Sequence, residues 1–275
     1  MKILTANIAL GLANMDRLCS ALRGHAAFHG PTILRFLVYP KSLKEAQARQ
    51  SPGRVRYLAR HVDLRATVEL LERENADVLI LNEVLPQFHR DILEPLFARL
   101  GYTSVAWGES IHYPDATVST IVASKIAGVA VPIDLSWESH AGGGAGIAAI
   151  RLTDQPVTVV GLHLGIADKF PWLYKVEMQM LAQWVAQEKA DGREVIIAGD
   201  WNASSASMAR HRPFARLGLM NADKDTPTCP TFLPWQKPLD HIFIPSGWTS
   251  SDLRAIPFGS DHLALSVEVA QGLLR

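Results

Sequence analysis

Short apolar, β-branched runs recur along the whole chain, each bounded by Gly, Pro, Asp or Asn. Runs of this kind read as strands. They fall at Lys2–Ile8, Val78–Leu81, Val118–Ala123, Gly146–Leu152, Val157–Leu162, Val195–Ala198, His241–Ile244 and Leu263–Val269. Two longer segments carry apolar residues at helical spacing instead. Val62–Asn75 presents Val62, Ala66, Leu70 and Leu71, and Trp172–Lys189 presents Val176, Met180, Trp184 and Val185.

Helices and strands are mixed without regular alternation. That argues against a simple barrel or a Rossmann domain and for sheets packed together with helices outside. No internal repeat and no Gly/Ser-rich linker divides the chain, so residues 1–275 read as a single domain.

The polar residues that interrupt this pattern sit where strands meet loops. Asn7 closes the first run, and Asn82-Glu83 follows Val78–Leu81. His163 ends Val157–Leu162, and Gly199-Asp200-Trp201-Asn202 follows Val195–Ala198. Asp240-His241 opens one late run, and Ser260-Asp261-His262 precedes the last. Singly, each has an ordinary explanation: a strand-terminal Asn or Asp forms turns and caps helices, and a lone His is usually packed by hydrogen bonds. Six such junctions in one chain are a different matter, because binding groups concentrate on loops held by a rigid scaffold.

Composition narrows the partners. Hydrophobic residues are 48% and charged residues 20%, which excludes a disordered chain as the default. With 27 basic and 27 acidic residues the net charge is zero, which disfavours a protein whose affinity rests on duplex DNA phosphates. Cys19 and Cys229 alone make neither a disulfide framework nor a Cys-rich zinc site. The chain shows no basic n-region followed by an apolar h-region, and no window approaches the ~18–20 apolar residues of a membrane span. A cytoplasmic location is the resulting expectation.

One segment departs from neutrality. Between Arg17 and Arg60 lie nine basic side chains against the single acid Glu45, together with His25 and His29. This basic insert, at about residues 17–61, is either a solvated surface segment or a lid for something anionic. Gly142-Gly143-Gly144, preceded by His140, is a second candidate loop beside a strand.

Taken in order, the six junctions resemble the endonuclease/exonuclease/phosphatase superfamily, the deoxyribonuclease-I-like fold. The resemblance rests on Asn7, Glu83-Val84, His163-Leu164, Gly199-Asp200-Trp201-Asn202, Leu239-Asp240-His241-Ile242 and Ser260-Asp261-His262. Ser119–Lys125 is similar to a family strand that ends in Ser-Arg. The match runs from residue 2 to 269, and its Gly-Asp-x-Asn with a closing Ser-Asp-His is the specific part. Asn82 stands where the family commonly has Gln, and Lys125 replaces Arg, losing the planar fork of a bidentate contact. The basic insert is longer than the family's usual connection. The aromatic and basic grip of abasic-site endonucleases is not recognisable.

The resemblance implies an α/β (α+β) four-layer sandwich, two packed, mostly antiparallel β-sheets flanked by helices. It implies a metal-dependent phosphoester hydrolase working by attack of water on phosphorus. An oxygen-rich pattern suits Mg²⁺, with Mn²⁺ as a substitute, better than Zn²⁺. Glu83 is then the leading metal ligand, supported by Asn7 and Asp261. His262 and Asp240 resemble the catalytic His–Asp pair, with His262 either a base or a phosphate stabiliser, and Asp200 is the other residue positioned to hold the water. His163 and Asn202 would donate to the phosphate oxygens, while Lys125 and His241 are further candidate substrate contacts. The expected substrate is a small-molecule or lipid phosphoester. The alternatives are a nuclease acting on DNA or RNA and a catalytically silent protein that binds a phosphate ligand.

Overall fold

The computed structural model describes residues 1–8, 64–108, 112–113, 116–133, 146–165, 167, 171–209, 217–229 and 236–272. The basic insert and the Gly142–Gly144 run, with His140, lie outside them.

Two six-stranded sheets make up the centre of the fold. In spatial order the first holds β13 (Trp248–Ile256), β14 (Ala264–Gln271), β1 (Lys2–Asn7), β2 (Val78–Val84), β6 (Ser119–Ser124) and β3 (Ser104–Trp107). The second holds β11 (Leu219–Asn221), β12 (Asp240–Pro245), β10 (Glu194–Asp200), β9 (Val157–His163), β8 (Gly146–Leu152) and β7 (Gly128–Val131). A small ladder pairs β4 (His112–Tyr113) with β5 (Ala116–Thr117). The eight strands read from the hydrophobic pattern are all present, within a few residues of their expected ends.

Period-two alternation divides the strands between two environments. Ile3, Val78, Ile80, Val122, Val159, Ile196, Ala198, Ile242, Ile244, Leu265 and Val267 face inward and form the layer between the sheets. Leu4, Leu79, Leu81 and Ile121 face outward and are covered by α1 (Arg65–Glu74) and α2 (Pro86–Arg99) through Leu70, Leu71, Leu93 and Phe97. Val160, Leu162, Val195 and Ile197 are covered by α3 (Pro171–Ala190) through Tyr174, Met178, Leu181 and Val185. The order is helix, sheet, sheet, helix, as expected. Each fully buried Leu, Ile or Val in these layers contributes about 1.5–3 kcal/mol of transfer free energy.

Most neighbouring strands are antiparallel, with one parallel pair in each sheet, β1–β2 and β9–β10. A parallel pair needs a crossover, and α3 lies in the connection from β9 to β10, as α1 lies in that from β1 to β2. The geometric consequence is functional. All four strands bring their C-terminal ends to one rim, where β12, antiparallel to β10, begins. The segment before β14, antiparallel to β1, arrives there too.

Eight of the described elements escaped the sequence pattern, three of them for identifiable reasons. Helix α2 starts with Pro at its first turn, which suits a helix, but Pro95 lies inside it and reads as a breaker. Strand β13 is an edge strand with a mostly solvent-facing surface and a register shift between Ser251 and Arg254, so it carries little alternation. The third, α4 (Ser205–Met208), is a single turn capped by Ser204, whose hydroxyl accepts from the Ser207 amide. Among the described residues no helix is long and apolar enough to cross a membrane.

Candidate active site

At the shared rim, the inward-facing rows of the central strands turn from aliphatic to polar. Ile3 and Thr5 are followed by Asn7, and Val78 and Ile80 by Asn82. Val159 and Gly161 lead to His163, Ile196 and Ala198 to Asp200, and Ile244 and Ile242 run back to Asp240. The alternation that builds the core therefore also aims these side chains at one place between the sheets.

Glu83 breaks this parity, since residues 78, 80 and 82 face inward and an undisturbed strand would send Glu83 outward. The β2–β6 register shifts between Leu81 and Val84, and Glu83 adopts φ of 56°. A bulge of this kind re-aims a side chain, and the left-handed backbone of a non-glycine residue is strain of the sort kept at functional sites. Its outcome is a contact: Asn7 Nδ2 donates to Glu83 Oε1 at 3.1 Å and to Asp200 Oδ2 at 3.0 Å.

Asp200 is fixed on both oxygens. Oδ1 accepts from the Asn202 amide at 2.8 Å, and Oδ2 faces Nε2 of His163 at 3.6 Å and Nε2 of His262 at 3.9 Å. Both separations exceed a hydrogen bond, so neither imidazole is tied to the carboxylate they face. Gly199 makes the turn possible, with φ of 141°, and a Cβ there would lie 2.0 Å from the Leu162 carbonyl oxygen. Trp201 then points to the outer layer, edge-on to Phe243 at 4.9 Å. Asn202, with φ of 49°, donates its amide to Leu164 O at 2.9 Å and so pins the turn that follows His163.

His262 and Asp240 form the tightest pair, with Nδ1 and Oδ2 2.7 Å apart. Ser260 places His262 by donating from Oγ to Asn7 O at 2.7 Å while accepting from the His262 amide at 3.2 Å. Asp240 Oδ1 and His163 Nδ1 are buried and have no hydrogen-bond partner among the described residues. Buried polar atoms are normally satisfied, so two such atoms in one site mark it as built for something besides stability.

The electrostatics follow from crowding. Burial raises the Glu83 pKa, with the Asp261 charge adding to it. Burial and the neighbouring Asp240 push Asp200 up to about 7. Burial also lowers that of His163, favouring a neutral ring. Burial acts the same way on His262, but the Asp240 charge and hydrogen bond overcome it and hold that ring well above an ordinary histidine.

Glu83, His163 and Asp200 offer ligand atoms within 4.8 Å of one another, and so do Asp200, Asp240 and His262. Among the described residues no lysine or arginine forms an ion pair with Glu83, Asp200, Asp240 or Asp261. Four carboxylates gathered with only two imidazoles are a donor set that fits a hard divalent cation.

Two of the candidate residues lie elsewhere. Lys125 is at the opposite end of the first sheet, beside the start of β2, where Nζ donates to Asn75 O at 2.9 Å and sits 5.4 Å from the Tyr102 ring centroid. His241 has the parity opposite to Asp240 and faces the outer layer, fully buried. Its Nδ1 is 3.1 Å from Asp223 Oδ1 and its Nε2 3.0 Å from Ala203 O, so neither nitrogen is left for a substrate.

The structure also brings in groups that the motifs did not single out for a role. Asn82 ties the sheets together, donating to Leu162 O at 2.8 Å and accepting from the Asp200 amide at 3.1 Å. Its parity with Val78 and Ile80 was the available signal. Cys229 reaches the rim beside Asp261 and His262, and nothing in its local sequence announces that.

Solved structures resemble this chain over most of its length. An endonuclease/exonuclease/phosphatase from Beutenbergia cavernae DSM 12333 aligns with a TM-score of 0.64 at 18% identity, covering 99% of this chain and 72% of that one. The human Nocturnin catalytic domain with bound sulfate anion aligns with a TM-score of 0.56 at 16% identity, covering 74% and 84%. D. rerio TDP2 complexed with single strand DNA product gives 0.57 at 15% identity, covering 75% and 91%. At these identities the likeness concerns the fold. A comparison with curated proteins returned no match. The model of the Endonuclease/Exonuclease/phosphatase family matches residues 4–262, a span that contains every side chain of the rim from Asn7 to His262. The chain belongs to the Endonuclease/Exonuclease/phosphatase family.

Proposed function

We propose that this protein is a Mg²⁺-dependent hydrolase of small-molecule or lipid phosphoesters, with Mn²⁺ able to substitute. Enzymes of the family act on phosphoester bonds and typically depend on a divalent metal. The observation that carries the reading is the meeting of Glu83, Asp200, Asp240 and Asp261 with two imidazoles at one rim, with no lysine or arginine ion-paired to them among the described residues.

Glu83, with Asn7 and Asp261, would hold the ion, whose charge when bound offsets the negative charge that builds on the phosphoryl oxygens. The remaining roles belong to side chains. His262 is kept protonated by Asp240 and has no lone pair to accept a proton, so it acts as the charge stabiliser. Asp200, with its pKa near neutrality, is the base that takes the proton of the attacking water. The water oxygen bonds to phosphorus as the bond to the leaving oxygen breaks. Neutral His163 donates from Nε2 to a non-bridging oxygen, a preorganised contact of the oxyanion-hole kind. Asn202 serves by fixing the turn after His163.

Overall neutrality supports a substrate other than duplex DNA. A nuclease is the second reading, favoured by the fold likeness to D. rerio TDP2 in complex with a single-strand DNA product. A metal-titrated screen separates the two. It compares bis-p-nitrophenyl phosphate, p-nitrophenyl phosphate, phospholipid vesicles, single-stranded and abasic DNA, and RNA. The proposal expects Mg²⁺-dependent cleavage strongest on the small or lipid esters and abolished by chelation. Preference for a nucleic acid selects the second reading, and silence on all of them favours a protein that binds phosphate ligands without turnover.

A further inference from the structure

Cys229 is the described chain's single free thiol, 8% exposed, and it lies at the catalytic rim. Its sulfur, a His262 ring nitrogen and an Asp261 carboxylate oxygen all lie within 4.8 Å of one another. The backbone holds them there. Cys229 donates its amide to Lys237 O at 3.1 Å and accepts from the Lys237 amide at 2.6 Å, so its main chain is fully committed. One residue earlier, the Thr228 carbonyl accepts from the Leu263 amide at 2.9 Å, which joins the segment bearing the thiol to the one bearing Asp261 and His262. Thr228 Oγ1 also accepts from the Asp240 amide at 3.2 Å. The thiol side chain is thus fixed against the imidazole by hydrogen bonds on both sides.

This cluster differs in kind from the oxygen-rich group around Glu83. Sulfur, nitrogen and carboxylate together are the ligands of a borderline-soft ion, which binds thiolate at about 2.3 Å and imidazole at about 2.0–2.1 Å. In a tetrahedral site those lengths put sulfur and nitrogen roughly 3.5 Å apart, which small side-chain rotations from the observed spacing reach. The outer shell is also in place. His262 Nδ1 is engaged by Asp240 at 2.7 Å, leaving Nε2 as the ligand atom, and a carboxylate behind a metal-binding histidine is the usual support of zinc sites.

We propose that Cys229, Asp261 and His262 form a second, soft-metal site that binds Zn²⁺ and thereby inhibits the enzyme. The inhibition rests on the hydrolase reading above; the binding does not. Zn²⁺ takes the Cys229 sulfur as thiolate and the His262 nitrogen as neutral imidazole, and the displaced protons pass to solvent. His262 is then no longer the charge stabiliser of the reaction, and Asp261 is drawn from the oxygen-ligand group. Mg²⁺ and Mn²⁺, which prefer oxygen donors, leave the thiol alone.

The test uses the full chain as wild type, Cys229→Ser, Cys229→Ala and Cys19→Ser, and has two arms. In the first, Co²⁺ is titrated as a coloured stand-in for Zn²⁺, and the thiolate-to-cobalt charge-transfer band is read. Wild type and Cys19→Ser should show the band and lose it when Zn²⁺ is added, and both Cys229 variants should lack it. In the second, hydrolysis of bis-p-nitrophenyl phosphate in saturating Mg²⁺ is measured against added Zn²⁺. Relative to its own zinc-free rate, either Cys229 variant should need roughly 10-fold more Zn²⁺ or more for half inhibition. A band that persists in the Cys229 variants, or one lost in Cys19→Ser, overturns the site. Unchanged Zn²⁺ inhibition in both Cys229 variants overturns its regulatory role. If no variant hydrolyses the ester, the hydrolase reading fails, and the cobalt band still decides the metal site.

Discussion

Asp240 and His241 are neighbours on β12, and each belongs to an Asp–His pair, yet the two pairs have opposite fates. His241 points to the outer layer and meets Asp223, whose carboxylate also accepts from the amides of Asp225 at 2.9 Å and Ile242 at 2.8 Å. Every strong donor and acceptor there is matched. Asp240 points inward to His262, and its second oxygen, Oδ1, is buried without a hydrogen-bond partner among the described residues. The lesson is that an Asp–His contact does not itself signal catalysis. A saturated pair is a strut, while a pair that keeps a buried acceptor unused is available for chemistry.

Removing the strut should cost most. Asp223→Ala leaves the buried His241 ring without its counter-charge and should lower unfolding free energy by about 3–5 kcal/mol, read by urea melts. Turnover per folded molecule should stay close to wild type. Next come the residues proposed to react. His262→Ala and Asp200→Ala should each reduce kcat by roughly 10²-fold or more, about 2.7 kcal/mol of barrier, with melting behaviour nearly kept. If these variants lose stability and Asp223→Ala loses turnover, the contrast between strut and reactive pair is reversed.

The strut has a pH signature of smaller size. Burial pulls the His241 pKa down, but the Asp223 hydrogen bond and charge outweigh it, so the folded value lies above the ordinary 6.5. A raised folded pKa means that the folded state binds the proton more tightly. The stabilisation is therefore complete below about pH 6.5 and declines as pH climbs through the folded value. The stability difference between wild type and His241→Gln should shrink over that rise; a difference flat in pH would remove the imidazolium from the account. The smallest effect belongs to Lys125, at the far end of the sheet. Lys125→Ala should leave kcat unchanged and cost under about 1 kcal/mol, because its contacts with Asn75 are exposed.

Much of this is legible in the amino-acid sequence. The β-branched runs gave the eight central strands because buried strands leave dense apolar stretches, and the polar interruptions fell at their ends for the same reason. Edge strand β13 was not legible, since a half-solvated edge needs no alternation. Asn7, Glu83, His163, Asp200, Asp240 and His262 could be nominated from strand-end position and motif order. Parity could also have separated Asp240 from His241, because adjacent strand residues face opposite sides. Lys125 lies away from the rim because β2–β6 pairing puts its neighbour Ser124 opposite Val78, at the far end of the strand from Glu83. Cys229 could not have been found, because its place depends on its own pairing with Lys237 and on that of Thr228 with Leu263, which no local pattern encodes.

The central claim is that the bulge at Glu83 turns a carboxylate into a site able to hold a divalent ion beside Asp200 and His262. Its most direct test is Mg²⁺-titrated turnover of bis-p-nitrophenyl phosphate by wild type and Glu83→Gln, which keeps the shape and removes the charge. The half-saturating Mg²⁺ concentration should rise roughly 10-fold or more in the variant. Superimposable metal curves would show that Glu83 holds no ion and contradict the account.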